Sequence, residues 1–373
     1  MKIRSVDCFP VRISLKPECQ MITALGVHDH SDYIVVRVNT DDGLYGVGEA
    51  TVSERWSGET VWGGVAILKH VLGPGVCGYD PEDIRSLDLR LNQLSRGNWF
   101  AKSAIEMACW DLRGKVLGKP VYELLGGRCR DLTFRSRYSM GAYDVPRARQ
   151  RAAELIDAGF ETIKVKVGGT AEDDIARVQA VREVIGPEPR LVIDANCGWD
   201  VETAIHCINA LEDCQLALVE QPTPDGDYGA LARVRRETTP PLMADDICFD
   251  LVHAQELIRN DCCDVISVYP GKNGGIQKCR DIIELAADHG IACSMGSNLE
   301  FDVATAAMGH LIVSSPNLQI EEYPGDTLGP AYHRDSIAVN PLSIEGPLTT
   351  ITDAPGLGID VDWDFVRAHP APD

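Results

Sequence analysis

The sequence predicts an α/β protein built on a modified eight-stranded parallel barrel of the (β/α)8, TIM type. Three observations predict it. Short apolar segments each end in an acid: Leu191-Val-Ile-Asp194, Leu216-Ala-Leu-Val-Glu220 and Pro241-Leu-Met-Ala-Asp245. The acids recur 26 positions apart (194 to 220) and then 25 (220 to 245), with amphipathic helical patterns between them. Apolar strand, helix, apolar strand at that pitch is a run of βαβ units and hence a parallel sheet. Finally, eight strand segments can be counted: 133–140, 161–167, 190–194, 216–220, 241–245, 264–269, 291–295 and 317–321. Helical patterns such as Asp144–Ala158 and Asp173–Ile185 separate them, as a (β/α)8 barrel requires.

In a parallel sheet all strands point one way, so acids at consecutive strand ends converge on one mouth. Three carboxylates meeting there repel one another unless a hard divalent cation neutralises them. All-oxygen ligation suits Mg²⁺, with Mn²⁺ as the alternative. Lys164 and Lys166, two apart in Thr162–Val167, face the same side of their strand. A lysine beside a divalent cation and a second ammonium is expected to lose its proton more easily, as a general base near neutral pH must.

The chain has 373 residues. A barrel takes about 250, which leaves over a hundred for another unit. The first 55 or so residues read as β-rich: Met1–Leu15 and Tyr33–Asn39 are apolar or alternating, and Asp41-Asp-Gly43 marks a turn before Leu44–Glu49. The polar segment from Thr23 to His30 reads as a loop. Residues 60–72 and 81–95 read as helices, and Ala101–Leu117 as a strong one, stopping at Gly118-Lys-Pro120. These patterns divide the chain into an N-terminal unit (1–130), the barrel (131–322) and a Pro/Gly-punctuated tail (323–373) that returns to the N-terminal unit.

The net charge of −21 and a pI near 4.8 argue against nucleic acid and anionic membranes as partners. They leave an anionic substrate open, since a metal and lysines reverse the sign locally. Thirteen cysteines form no disulfide framework, no leader is expected ahead of Met1-Lys-Ile-Arg, and no apolar run is long enough to span a membrane. A cytoplasmic protein with reduced thiols is the expectation.

Taken together, these residues resemble the enolase superfamily, nearest its muconate-lactonizing branch within the mandelate racemase/muconate lactonizing enzyme family. The resemblance is carried by Ser103 to Lys115 followed by Leu124-Leu-Gly-Gly127, by Lys164-Val-Lys166, and by Asp194-Ala-Asn196, Glu220-Gln-Pro222 and Ala244-Asp245-Asp246. Gly274-Gly275 and Pro355-Gly-Leu-Gly358 complete it, in the family's order over nearly the whole chain. It implies an α+β capping domain built from both chain ends, and Mg²⁺ on Asp194, Glu220 and Asp245. It also implies removal by Lys166 of the proton α to a carboxylate of a small-molecule substrate, giving an enediolate. A homo-oligomer is implied as well.

The departures bear on the reaction. The branch carries a second lysine on the sixth strand, and counting five positions from Asp264 reaches Tyr269. The seventh strand ends Ser294-Met-Gly-Ser-Asn298-Leu-Glu300, without the histidine of the racemase branch. One face of the site therefore has a base and the other has a tyrosine, a poor base at an unperturbed pKa of about 10. That asymmetry ranks dehydration of a hydroxy acid such as an acid sugar first, cycloisomerisation second and epimerisation third. A non-catalytic binding barrel is the reading from another class. Lys164 is expected to assist electrostatically, and Asn196 to line the site or orient Asp194 from behind. His28, His30 and Trp56 lie on loops that in this family fold over the mouth. Tyr138 at the end of strand one, and Asn298 and Glu300 after strand seven, are further candidates for substrate contact. Lys272 reads as a solvated loop residue ahead of the alternative, a displaced acid.

Overall fold

A computed structural model describes residues 1–372. The N-terminal unit is an antiparallel sheet of β1 (Ile3–Ser14), β4 (His30–Thr40) and β5 (Tyr45–Ala50), in the order β1-β4-β5. The segment expected to be a loop is instead a hairpin, β2 (Met21–Thr23) paired with β3 (Gly26–His28). Gly26, at a φ of +119°, closes the turn, a conformation glycine reaches without strain. His28 thus ends a strand and His30 begins another.

The helix Trp99–Leu117 packs on β5, where Gly46 and Gly48 allow the approach: a Cβ on either would lie within 2 Å of the Ala108 or Ala104 carbonyl oxygen. The helix is buried nearly all round, because its other face lies against the barrel. Glu106 on it accepts from the amides of Ile276 (2.8 Å) and Gln277 (2.9 Å), so it caps a barrel helix, Ile276–Asp288. Glu49 does the same for Phe301 (2.7 Å) and Ala304 (3.0 Å), at the start of the helix Asp302–Ser314.

After β6 (Thr133–Arg135), seven parallel strands curl in chain order into one sheet. They are β7 (Tyr138–Met140), β8 (Thr162–Lys166), β9 (Arg190–Asp194), β10 (Leu216–Glu220), β11 (Leu242–Ala244), β12 (Val265–Val268) and β13 (Ala292–Met295). Two expected strands differ. The first is broken at Ser136-Arg137 into β6 and β7. The eighth, 317–321, makes only a bridge from Leu318 to Cys293. The chain there crosses the seam: Gln319 donates to Cys293 O at 2.9 Å, and Arg137 N then donates to Gly325 O at 2.8 Å.

Inside the curl, Val192, Leu218, Met243, Val265 and Ala292 form a small apolar cluster of their own. Asp194, Glu220 and Asp245 stand two residues further along three of these strands, on the same side by the period of two. The barrel is thus plugged with hydrocarbon below and lined with acids above. The tail first adds β14 (Ser343–Glu345) and β15 (Leu348–Thr350) to β6. Its last residues reach β1, where Pro370 bridges Val11 and Trp363 packs on Phe9 with ring centroids 5.1 Å apart. Among the described residues no helix is long and apolar enough to cross a membrane.

Candidate active site

A cavity of about 610 Å³ lies between the hairpin and loops of the N-terminal unit and the barrel mouth. The barrel contributes Ser139, Lys164, Lys166, Asn196, Glu220, Asp245, Tyr269 and Asn298; the other wall contributes His28, His30 and Trp56. Most of the site residues singled out from the sequence therefore line this cavity.

Strand register brings the charges together. Lys166 pairs with Asp194 across β8 and β9, and Asp194 with Glu220 across β9 and β10. Lys164 Nζ lies 3.1 Å from Asp194 Oδ2 and 3.0 Å from both oxygens of Glu220. Lys166 Nζ donates to Asp194 Oδ2 at 2.5 Å and to Asn196 Oδ1 at 2.7 Å, while Asn196 N donates to Asp194 Oδ1 at 2.9 Å. Asn196, left-handed at a φ of 41°, thus both lines the cavity and holds the lysine and the acid in place. Glu220 also accepts from Arg137 at 2.9 Å, a fully buried arginine that the sequence did not single out.

Burial alone would raise Asp194, but the ammoniums of Lys166 and Lys164 outweigh it and hold this carboxyl below its usual range. Burial raises Glu220, Asp194 raises it further, and Lys164 and Arg137 oppose. Lys166 is pulled two ways by its protein neighbours. Burial lowers its pKa, yet the carboxylates of Asp194 and Glu220 outweigh that and raise it, so with these acids as its neighbours the ammonium is stabilised rather than loosened.

Three residues, Lys272, Tyr138 and Glu300, sit differently from the sequence reading. Lys272 is not a solvated loop residue: it is fully buried, with Nζ 2.7 Å from Asp245 Oδ1 and 2.7 Å from Ser267 O. The short helix Pro270–Asn273 turns it back under the third acid. Tyr138 does not line the cavity. Its neighbour Ser139 takes the inward position opposite Lys164, and Tyr138 packs outside on Phe160 and Tyr332, its hydroxyl accepting from Arg151 at 2.8 Å. Glu300 turns into its own loop, accepting from Ser297 Oγ (2.7 Å) and Asn298 N (2.9 Å). Burial raises its pKa to about 7. Asn298 does line the cavity, its amide anchored on Thr51 O at 2.6 Å. Finally, Asp246 accepts from the indole N–H of Trp56, which ties the covering loop to the mouth.

Tyr269 is four strand positions from Lys166 in a ring of about eight, and so faces it across the barrel. Its ring packs on Trp56 (centroids 6.0 Å apart) and over Lys272 Nζ at 5.0 Å. Burial, then Asp245 and Glu300, push the phenol well above its ordinary pKa. It can donate a proton but cannot serve as a base near neutrality.

Among the described residues no three of His, Cys, Asp and Glu stand in a ready metal-holding arrangement. Lysines take the counter-charge role here: Lys164 lies between Asp194 and Glu220, and Lys272 lies on Asp245. The donor chemistry nonetheless fits a hard cation. The three carboxylates act on one another, Asp194 and Asp245 both raising Glu220, and Asp246 Oδ2 is buried without a partner. Oxygen donors crowded in this way suit Mg²⁺ or Mn²⁺.

A capped parallel barrel with an acid-and-lysine mouth defines the class: a barrel enzyme of the enolase type. Residues 4–126 match the model for the mandelate racemase/muconate lactonizing enzyme N-terminal domain, and residues 147–365 match the enolase C-terminal domain-like model. The chain belongs to the mandelate racemase/muconate lactonizing enzyme family of the enolase superfamily. It is similar to a dipeptide epimerase from Enterococcus faecalis, whose structure was solved with Mg and the dipeptide L-Leu-L-Tyr: 33% identical, covering 96% of this chain and 99% of that one, TM-score 0.91. The structure of N-succinyl Arg/Lys racemase from Bacillus cereus is 28% identical, covers 99% and 98% of the two chains and has a TM-score of 0.95. A chloromuconate cycloisomerase from Cupriavidus pinatubonensis is 29% identical over 93% of each chain.

Proposed function

We propose that this chain is an Mg²⁺-dependent enzyme in which one amine, Lys166, removes the proton α to the carboxylate of a small molecule. The observation that carries this reading is Lys166 Nζ, lining the cavity and fixed between Asp194 and Asn196. Asp194, Glu220 and Asp245 would hold the cation, Mg²⁺ or alternatively Mn²⁺. When bound, it supplies a Lewis acid for the substrate carboxylate. Lys164 adds positive charge beside the same acids, and Trp56 closes the mouth against water.

Kinship changes the order of reactions. The relatives named above are epimerases, racemases and cycloisomerases, so an isomerase is now the first reading and dehydration the second. Tyr269 is the observation that keeps dehydration in view. A neutral phenol opposite Lys166 is no second base, whereas in syn elimination Lys166 takes the α-proton and returns it to the departing hydroxyl, releasing water. One-base cycloisomerisation fits the same asymmetry. Thirteen cysteines, all free, support a reducing, cytoplasmic setting.

The test is incubation with Mg²⁺ in D₂O and a panel of amino, hydroxy and unsaturated carboxylates. Deuterium at the α-carbon of recovered substrate or stereoisomer supports the isomerase, and a 2-keto acid supports the dehydratase. Lys166→Ala should abolish both. Unchanged exchange in that variant would leave the non-catalytic binding barrel as the better reading.

A further inference from the structure

Behind the cavity wall runs a buried polar chain that the chemistry above does not use. His333 Nδ1 lies 2.7 Å from Gly329 O, and its Nε2 lies 2.8 Å from Ser31 Oγ. The same Ser31 oxygen lies 2.9 Å from His28 Nε2. Ser31 and His333 are buried, and His28 lines the cavity.

The protons in this chain can be placed one by one. A carbonyl only accepts, so His333 Nδ1 carries a hydrogen. Burial lowers His333 to about 4, so the ring is neutral and its Nε2 is a bare acceptor. The Tyr33 hydroxyl beside Ser31 gives its own hydrogen to Asn298 O, and Ser31 gives its single hydrogen to the bare nitrogen of His333. Ser31 then has only lone pairs for His28, so His28 Nε2 carries the hydrogen. Burial, with His30 adding to it, lowers His28 to about 4 as well, and its Nδ1 is therefore a bare lone pair. Among the described residues Nδ1 has no protein partner, and it is not sealed from the cavity.

Charges of both signs surround it, Arg12 and Arg55 lining the cavity beside three acids. Asp29, Asp32 and Glu54 line this end. Asp29 is engaged by His30 and Asp32 by Arg12, while Arg55 donates to Leu25 O. What an entering group meets at His28 itself is a lone pair, which a hydrogen-bond donor satisfies and an anion does not.

Building on the one-base reading, we infer that the Gly329–His333–Ser31 chain fixes His28 as a hydrogen-bond acceptor that reads the end of the substrate remote from its reacting carboxylate. The substrate class is then a monocarboxylate bearing an N–H or O–H donor at that end, an ammonium or a hydroxyl. Dicarboxylates such as muconates are disfavoured, which separates this chain's substrate from that of the cycloisomerase relative.

Two measurements test this. Nitrogen-15 spectra of histidine-labelled protein, with His28 assigned by its loss in His28→Gln, read the tautomer in the resting protein without any turnover. A bare Nδ1 with protonated Nε2 is expected; an Nδ1–H or doubly protonated ring overturns the inference and leaves the Lys166 reading untouched. Calorimetry with Mg²⁺ then compares straight-chain carboxylates of three to six carbons ending in ammonium, hydroxyl, methyl or carboxylate. At the best length, an ammonium or hydroxyl end should bind about tenfold more tightly than methyl or carboxylate. Which of the two donors wins distinguishes an amino from a hydroxy substrate. Ser31→Ala, which frees the ring to change tautomer, should erase most of that preference. If no length favours the donor over the carboxylate end, the inference fails.

Discussion

Lys272 Nζ lies 2.7 Å from Asp245 Oδ1, with both side chains shut away from solvent, on the far side of the mouth from Lys166. The third acid is thereby held by an ammonium on the short helix after β12, whereas the first two share Lys164 on β8. Removing one partner of such a buried pair leaves the other as an uncompensated charge. Lys272→Met should destabilise the protein by about 3–5 kcal/mol. Saturating Mg²⁺ should recover part of the loss by supplying Asp245 with a new counter-charge. Thermal melts with and without Mg²⁺ decide it; an unchanged melting temperature would show that Lys272 does not hold Asp245.

Glu220 is contacted by Lys164 and Arg137 and lies beside Asp194 in the ladder. Glu220→Gln removes its negative charge and keeps its shape. Mg²⁺ affinity measured by calorimetry should fall by more than the roughly 10–100-fold typical of groups that only support a ligand. Wild-type affinity would contradict its place among the metal-holding acids.

The Tyr269 hydroxyl makes no hydrogen bond within the described residues and opens on the cavity. Tyr269→Phe should therefore leave the melting temperature nearly unchanged. If the phenol donates a proton during turnover, net product formation should drop by about 10²–10⁴-fold, while α-proton exchange through Lys166 persists. Equal losses of exchange and product would place Tyr269 in substrate positioning instead.

His310 is fully buried away from the site; its Nδ1 accepts from Tyr122 N at 3.2 Å and its Nε2 faces Leu357 O at 3.3 Å. Burial lowers its pKa from 6.5 to about 4. The unfolded chain therefore binds this proton first as pH falls, so the stabilisation from His310 is present above pH 6.5 and is lost as pH drops through 4. His310→Gln should flatten the fall of melting temperature between pH 6.5 and 4 relative to wild type. A parallel curve would show that other groups control the acid limb.

The acids and the lysine pair were legible because both rest on local regularities. The period of two puts Lys164 and Lys166 on one side of a strand, and the βα pitch repeats the acid at each strand end. Neither regularity reaches the places where the reading went astray. Tyr138 and Ser139 are neighbours, and only the pairing of Ser139 with Lys164 shows which one faces inward. Glu300 follows Leu299, whose φ of 61° turns the loop back on itself. Lys272 read as solvated because nothing in Pro270-Gly-Lys-Asn states that one helical turn will place it under Asp245; the proline and the glycine pair bracketing that turn were the available signal.

The sequence by itself determined the barrel, its acids and its amine, since periodicity and pitch act between near neighbours and follow from backbone geometry alone. Only the tertiary structure decided which charges neutralise which, that Glu49 and Glu106 cap helices of the other unit, and that His28 is wired through Ser31 to His333. Those contacts join residues as many as 302 positions apart. A buried charge or ring nitrogen takes its protonation from whatever packs against it, which no local pattern encodes.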